Sequence, residues 1–160
     1  MKSTKSLSII KNQFFTCVSM LIKIIEICPD ELWNCKKSGF VFWQQLLHAF
    51  AGMHYWLRED TAKFTEPFKE KNVYPEMEKD PENPLSKDEL IQYCSGVRET
   101  AEKWFDNKDD EWLNESSKIM STITNLDVII MQIKHAMYHI GHCEAIFREN
   151  GVKPGEYIDF

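Results

Sequence analysis

The sequence contains no cluster of basic residues and has an acidic balance. Its 160 residues include 25 Asp and Glu against 19 Lys and Arg, which gives a formal net charge of −6. Recognition of a phosphate backbone requires grouped Lys and Arg side chains. The composition therefore predicts that nucleic acid is not a partner.

Paired cysteines are also missing. The five cysteines are an odd number and include no C-x-x-C motif: Cys17, Cys28, Cys35, Cys94 and Cys143. A chain of this length that is 43% hydrophobic can bury a core without disulfides. We therefore expect free thiols and a reducing, cytoplasmic location.

No uninterrupted apolar run near the N-terminus is long enough to span a bilayer. The longest uninterrupted run is Phe14–Ile22, whereas a spanning helix needs roughly 20 apolar residues. Lys2 and Lys5 followed by apolar residues are reminiscent of a signal peptide, but Lys11 and Lys23 interrupt that pattern. We expect no targeting or membrane role, and a buried amphipathic helix instead.

Helical spacing of apolar residues is the dominant pattern, without strand-like alternation or internal repeats. It predicts a first helix that ends at Pro29. A second predicted helix runs from about Phe40 to Glu59. Residues 60–86 are rich in charge and proline, which predicts a long surface connection of the kind that often lies near a functional site.

Capping signals mark the start of two further helices. Ser86 with Glu89 three residues later forms a capping box, so a third helix is predicted from there to about Phe105. Thr124 or Asn125 can cap a fourth helix.

Four helices of about 20 residues most simply form an all-α four-helix bundle. Residues 1–160 are the right length for a single domain of this kind. The sequence therefore predicts one bundle with a long connection between its second and third helices.

Histidines on two of the predicted helices suggest a metal site. His135 and His139 lie four residues apart, so both imidazoles can point at one ion, as in the H-x-x-x-H motif of zinc sites. A third ligand must come from a facing helix, and His48, which lies among apolar residues, is the best candidate. The simpler alternative is that these histidines only pack and hydrogen-bond in the core.

Three nearby residues are weaker ligand candidates. His142 continues the stripe along the fourth helix, and we place it beside the ion rather than on it. His54 lies six residues after His48, about 120° around the helix, and should point elsewhere. Cys143 follows His139 by four residues and has a ligand atom, although a buried free cysteine is more common.

The run H-A-M-Y-H-I-G-H-C-E-A-I-F-R-E-N-G resembles the last-helix signature of the DinB/YfiT-like metal-dependent bundle family. That signature is H-x-x-x-H followed by Arg-Gly-Gln and an apolar stretch. His135, His139 and Gly141 stand at the matching positions, whereas Ile140 and His142 replace the usual Arg and Gln. Contacts that relatives make through that Arg and Gln are therefore not expected here.

The segment W-Q-Q-L-L-H-A-F-A-G-M-H-Y-W-L resembles the second helix of the same family and puts His48 at the remaining ligand position. The resemblance implies a divalent ion, zinc or nickel, held by three histidines with open positions. It also implies a homodimer and an enzyme that transfers a low-molecular-weight thiol to an electrophile. Tyr55, Arg58 and His142 are candidate substrate contacts.

Three other functions remain open at this point. An ion with open positions can activate water, which would make the protein a metal-dependent hydrolase. The protein can instead be a non-catalytic metal-binding or stress-associated module. In the third alternative the histidines bind no metal at all.

Overall fold

The computed structural model describes residues 3–58 and 64–159 of the chain. The described part is mostly helical, so the prediction of an all-α fold is confirmed. The elements in chain order are α1 (Lys5–Ile27), α2 (Asp30–Trp33), β1 (Lys36–Lys37), β2 (Phe40–Val41), α3 (Phe42–Trp56), a 3₁₀ turn (Lys69–Lys71), α4 (Lys87–Phe105), a second 3₁₀ turn (Trp112–Asn114) and α5 (Asn125–Glu149).

The predicted capping residues begin both α4 and α5. The Ser86 hydroxyl accepts a hydrogen bond from the Glu89 amide, and the Glu89 carboxylate accepts one from the Ser86 amide at 3.0 Å. Thr124, one of the two caps considered, makes the same reciprocal pair with Asp127. These bonds satisfy amides that the first helical turn leaves unpaired.

The second predicted helix is shorter than expected. It begins at Phe42 because Phe40–Val41 pair with Lys36–Lys37 in a two-residue antiparallel hairpin. Ser38 and Gly39 form its turn with φ of 50° and 99°, a conformation that a glycine at the second position favours. Strands this short show no alternation in the sequence. The helix ends at Trp56, and the predicted end at Glu59 lies outside the described residues.

Helix α3 lies at the centre of the core. Ten of its 15 residues are buried, so it is covered on nearly every side. It contacts α4 and α5, and α1 contacts the same two helices. Phe42 at its start stacks on Phe147 of α5, with ring centroids 5.2 Å apart. A helix enclosed in this way holds its side chains in fixed positions relative to α5.

Helix α1 is long and apolar enough to cross a membrane if only length and composition are considered. Core helices of water-soluble proteins meet the same criterion. Eight of its residues are buried against the other helices. The absence of a membrane role stays a prediction. The five cysteines are all free, as predicted.

Candidate metal centre

The structure brings together the three histidines that the sequence singled out. His48 comes from α3, and His135 and His139 come from α5, which packs against it. One ring nitrogen from each lies within 4.8 Å of the other two. The three rings meet edge to face, with centroids 4.8 to 5.1 Å apart.

His48 is oriented by a backbone carbonyl. Its Nδ1 lies 2.7 Å from the carbonyl oxygen of Pro75. A carbonyl only accepts hydrogen bonds, so Nδ1 carries the proton and Nε2 keeps a free lone pair. Histidine ligands of metals are commonly fixed by such a bond on the second nitrogen. His48 is therefore in the tautomer that binds a metal through Nε2.

The backbone on either side of Pro75 is bound by Gln44, which lies one turn before His48 on α3. The buried Gln44 side-chain amide donates to the carbonyl oxygens of Val73, Tyr74 and Lys79 at 3.2, 3.0 and 2.8 Å. Tyr74, beside Pro75, has a φ of 50°, a conformation that costs energy in a residue other than glycine. The bonds from Gln44 help to keep this strained segment in place.

The two histidines of α5 face each other. The Nε2 atoms of His135 and His139 lie 3.1 Å apart. Two ligands at about 2.0–2.1 Å from a tetrahedral zinc ion are separated by about 3.3 Å, so this pair already has nearly the required spacing. Ligands at that bond length are at most about 4.2 Å apart in any geometry. A nitrogen pair at the 4.8 Å limit of the cluster would have to close by about 1.5 Å to reach the tetrahedral spacing.

Burial keeps the two α5 histidines neutral. His139 is only 3% exposed, and its burial, together with the rings of His135, His48 and His142, lowers its pKa to about 3. Burial and the nearby His48 ring also lower the pKa of His135. Only a neutral imidazole binds a metal ion. The site is therefore ready to accept a cation at neutral pH.

Gly52 lets α3 approach the His135 ring closely. A Cβ atom at this position would lie 3.4 Å from both Cε1 and Nδ1 of His135. That separation is van der Waals contact, so a side chain here would pack directly against the ring. Gly52 lies one turn after His48, on the face of α3 that carries the site.

An aromatic cleft opens beside the histidines, with a volume of about 510 Å³. His48 and His135 form part of its wall, together with Gly52, Tyr55, Trp56, Glu76, Met131 and Gln132. A cleft of this volume is large enough for a small molecule. Such a molecule would contact His48 and His135 from the cleft, whereas the buried His139 does not line it.

The other candidates from the sequence lie around this centre. Tyr55 lines the cleft, and the Arg58 guanidinium lies over its ring at 4.4 Å. His142 is outside the three-histidine cluster, and its Nδ1 donates to Gln45 Oε1 at 2.6 Å. As predicted, His54 points away, and its Nδ1 lies 3.1 Å from the Tyr93 hydroxyl.

Sequence reasoning missed two polar contributors and one glycine. Gln44 and Gln132 are glutamines buried in predicted helices, three or four residues from a histidine of the site. That spacing puts each on the same helix face as its histidine and could have identified them. Gly52 has the same four-residue relation to His48. Cys143 is buried and is not part of the described cluster.

Comparison with known proteins gives one match. The model of the DinB family matches residues 19–158, which is most of the chain and includes all three histidines. No curated protein matches, and no solved structure matches.

Proposed function

The chain belongs to the DinB family, and from this premise we propose that it is a metal-dependent enzyme that transfers a low-molecular-weight thiol to an electrophile. The observation that carries the proposal is the cluster of His48, His135 and His139 at the wall of an aromatic cleft. Three imidazole nitrogens fit zinc or nickel, both of which accept imidazole ligands.

The architecture proposed for this function is a four-helix bundle with a long connection between α3 and α4. Each of the long helices α1, α3, α4 and α5 contacts at least two of the others, which supports it. Residues 64–86 of the connection supply the carbonyl that orients His48. We also propose that the protein is a cytoplasmic homodimer.

In this chemistry the residues of the chain position the metal ligands and exclude water from the site. Pro75 holds His48 with Nε2 free, and the buried His139 closes the site on the side away from the cleft. A divalent ion bound there would supply positive charge that stabilises a thiolate at neutral pH. In the net reaction with a chlorinated acceptor, an S–C bond forms, the C–Cl bond breaks, chloride leaves and the thiol proton passes to solvent.

Metal analysis of protein purified without added metal tests the site. We expect roughly one ion per chain, as three ligands with an open position imply, and its loss in His135→Ala and His139→Ala. His54→Ala is the matched control, because His54 lies on the same helix as His48 but outside the cluster. Equal metal content in all four proteins would refute the site.

A panel of thiols tests the reaction. Glutathione, bacillithiol, mycothiol and coenzyme A are each incubated with a chlorinated or epoxide acceptor, and the thioether product is measured. We expect turnover with at least one thiol and its loss after chelation. Turnover that survives chelation would contradict the proposed mechanism. Metal binding without turnover of any thiol would favour the non-catalytic module, and hydrolysis of an ester or amide instead would favour the hydrolase.

A further inference from the structure

The wall of the cleft contains a buried hydrogen-bond acceptor that has no donor among the described residues. Gln132 lies one turn before His135 on α5 and is 2% exposed. Its Oε1 is buried and accepts no hydrogen bond from the described residues. A buried polar atom without a partner is costly, and most such atoms in folded proteins are paired. Gln132 lines the cleft, so a ligand there can supply the missing donor.

The space in front of Gln132 also reaches the histidines. A Cβ on Gly52 would lie 3.6 Å from Gln132 Oε1 and 3.4 Å from the His135 ring. Gln132 Oε1 and the His135 ring therefore face the same point of α3, where glycine places no side chain between them. A small molecule that packs against Gly52 can contact Gln132 and His135 at the same time.

The rest of the cleft wall favours positive charge. Glu76 contributes a carboxylate, and Trp56 contributes an aromatic ring of the kind whose face attracts cations. Of the residues that the structure describes, no Lys or Arg lines the cleft. Arg58 is a positive charge close to the cleft, because its guanidinium lies over the ring of Tyr55, which lines the cleft.

We propose that the cleft selects small thiols whose far end carries an ammonium or another N–H donor, which Gln132 Oε1 accepts as a hydrogen bond. This inference rests on the proposed function, because it assumes that the sulfur end lies at the histidines. It assigns Gln132 as a specificity-determining residue and an aminothiol as the substrate class.

Calorimetric titration of the metal-loaded protein with three short thiols tests the assignment. Cysteamine, 2-mercaptoethanol and 3-mercaptopropionate carry an ammonium, a hydroxyl and a carboxylate at the far end. We expect cysteamine to bind about tenfold more tightly than either of the others, because a charged donor forms a stronger hydrogen bond than a hydroxyl and a carboxylate has no proton to donate. Gln132→Leu should remove most of this preference, while metal content stays unchanged.

Gln45→Leu is the matched control. Gln45 is also a buried glutamine with one unpartnered side-chain atom, but it faces His142 and does not line the cleft. Its replacement should leave the preference for cysteamine intact. Gln132→Glu keeps an acceptor oxygen and should preserve or increase the preference, which tests the inference even if Gln132→Leu does not fold.

The outcomes separate this inference from the proposed function. Equal binding of the three thiols, or a preference unchanged in Gln132→Leu, overturns the role of Gln132 and leaves a thiol-binding metal site standing. Tightest binding of 3-mercaptopropionate also overturns it and would indicate that Arg58 governs the cleft. If the loaded protein binds none of the thiols, the proposed function fails, and the inference fails with it.

Discussion

Acid should destabilise the metal-free protein through His139. The native pKa of this residue is about 3, whereas a histidine in an unfolded chain has a pKa of about 6.5. Between these two values the unfolded state binds a proton that the native state does not. The stabilisation by neutral His139 is therefore complete above about pH 6.5 and is lost as the pH falls toward 3.

The size of the effect follows from these two pKa values. Lowering the pH from 7 to 5 stabilises an unfolded chain by about 2 kcal/mol for each histidine that becomes protonated. Native His139 takes up almost no proton in this range. Because the side chain is only 3% exposed, solvent screening gives little reason to reduce the figure. The free energy of unfolding should fall by about 2 kcal/mol from His139 alone.

Urea unfolding of wild type and His139→Gln, both at pH 7 and pH 5 with a chelator, measures this contribution. Glutamine stays neutral throughout, so the variant should lose about 2 kcal/mol less than wild type between the two pH values. Subtracting the pH effect on the variant from the pH effect on wild type cancels the contributions of titrating groups that both proteins share, provided that the m-values agree. An equal loss in both proteins would refute the assignment of a buried, neutral His139.

Two substitutions on α3 test how the site is held. Gly52→Ala should weaken metal binding about tenfold, because its methyl group would pack against the His135 ring. Gly96→Ala on α4 is the control, since its methyl group meets open space. It should leave metal binding unchanged and stabilise the helix by up to about 1 kcal/mol. Equal metal affinity in the two variants would contradict the close approach. Gln44→Leu should weaken metal binding about tenfold and speed amide hydrogen exchange in residues 73–79. Unchanged exchange there would show that Gln44 does not hold this segment.

Local signals in the sequence predicted the features that depend on neighbouring residues. The Ser86 and Thr124 caps need only a partner three residues away, and both are present. The pairing of His135 with His139 likewise follows from helical geometry. His48 was predicted as the third ligand from its apolar surroundings, and the family resemblance put it at the same position, but no local pattern says which residue of a distant helix faces a given pair.

Features that depend on distant backbone could not be predicted in this way. The bond between His48 and Pro75 joins residues 27 positions apart. Residues with positive φ are usually glycines, but here Tyr74 and Met77 adopt this conformation. No glycine therefore marks the turns around Pro75 in the sequence. Gln44 resembles an ordinary polar residue until the carbonyls it binds are known.

Because the three histidines come from separate parts of the chain, metal binding is coupled to folding. An unfolded chain keeps only the H-x-x-x-H pair, whereas the native protein adds His48 from a different helix. An ion that needs all three nitrogens binds the native state and shifts the folding equilibrium by mass action. At a free concentration one hundred times the Kd, this adds about 2.7 kcal/mol to the free energy of unfolding. Metal supply would then set the steady-state amount of folded protein.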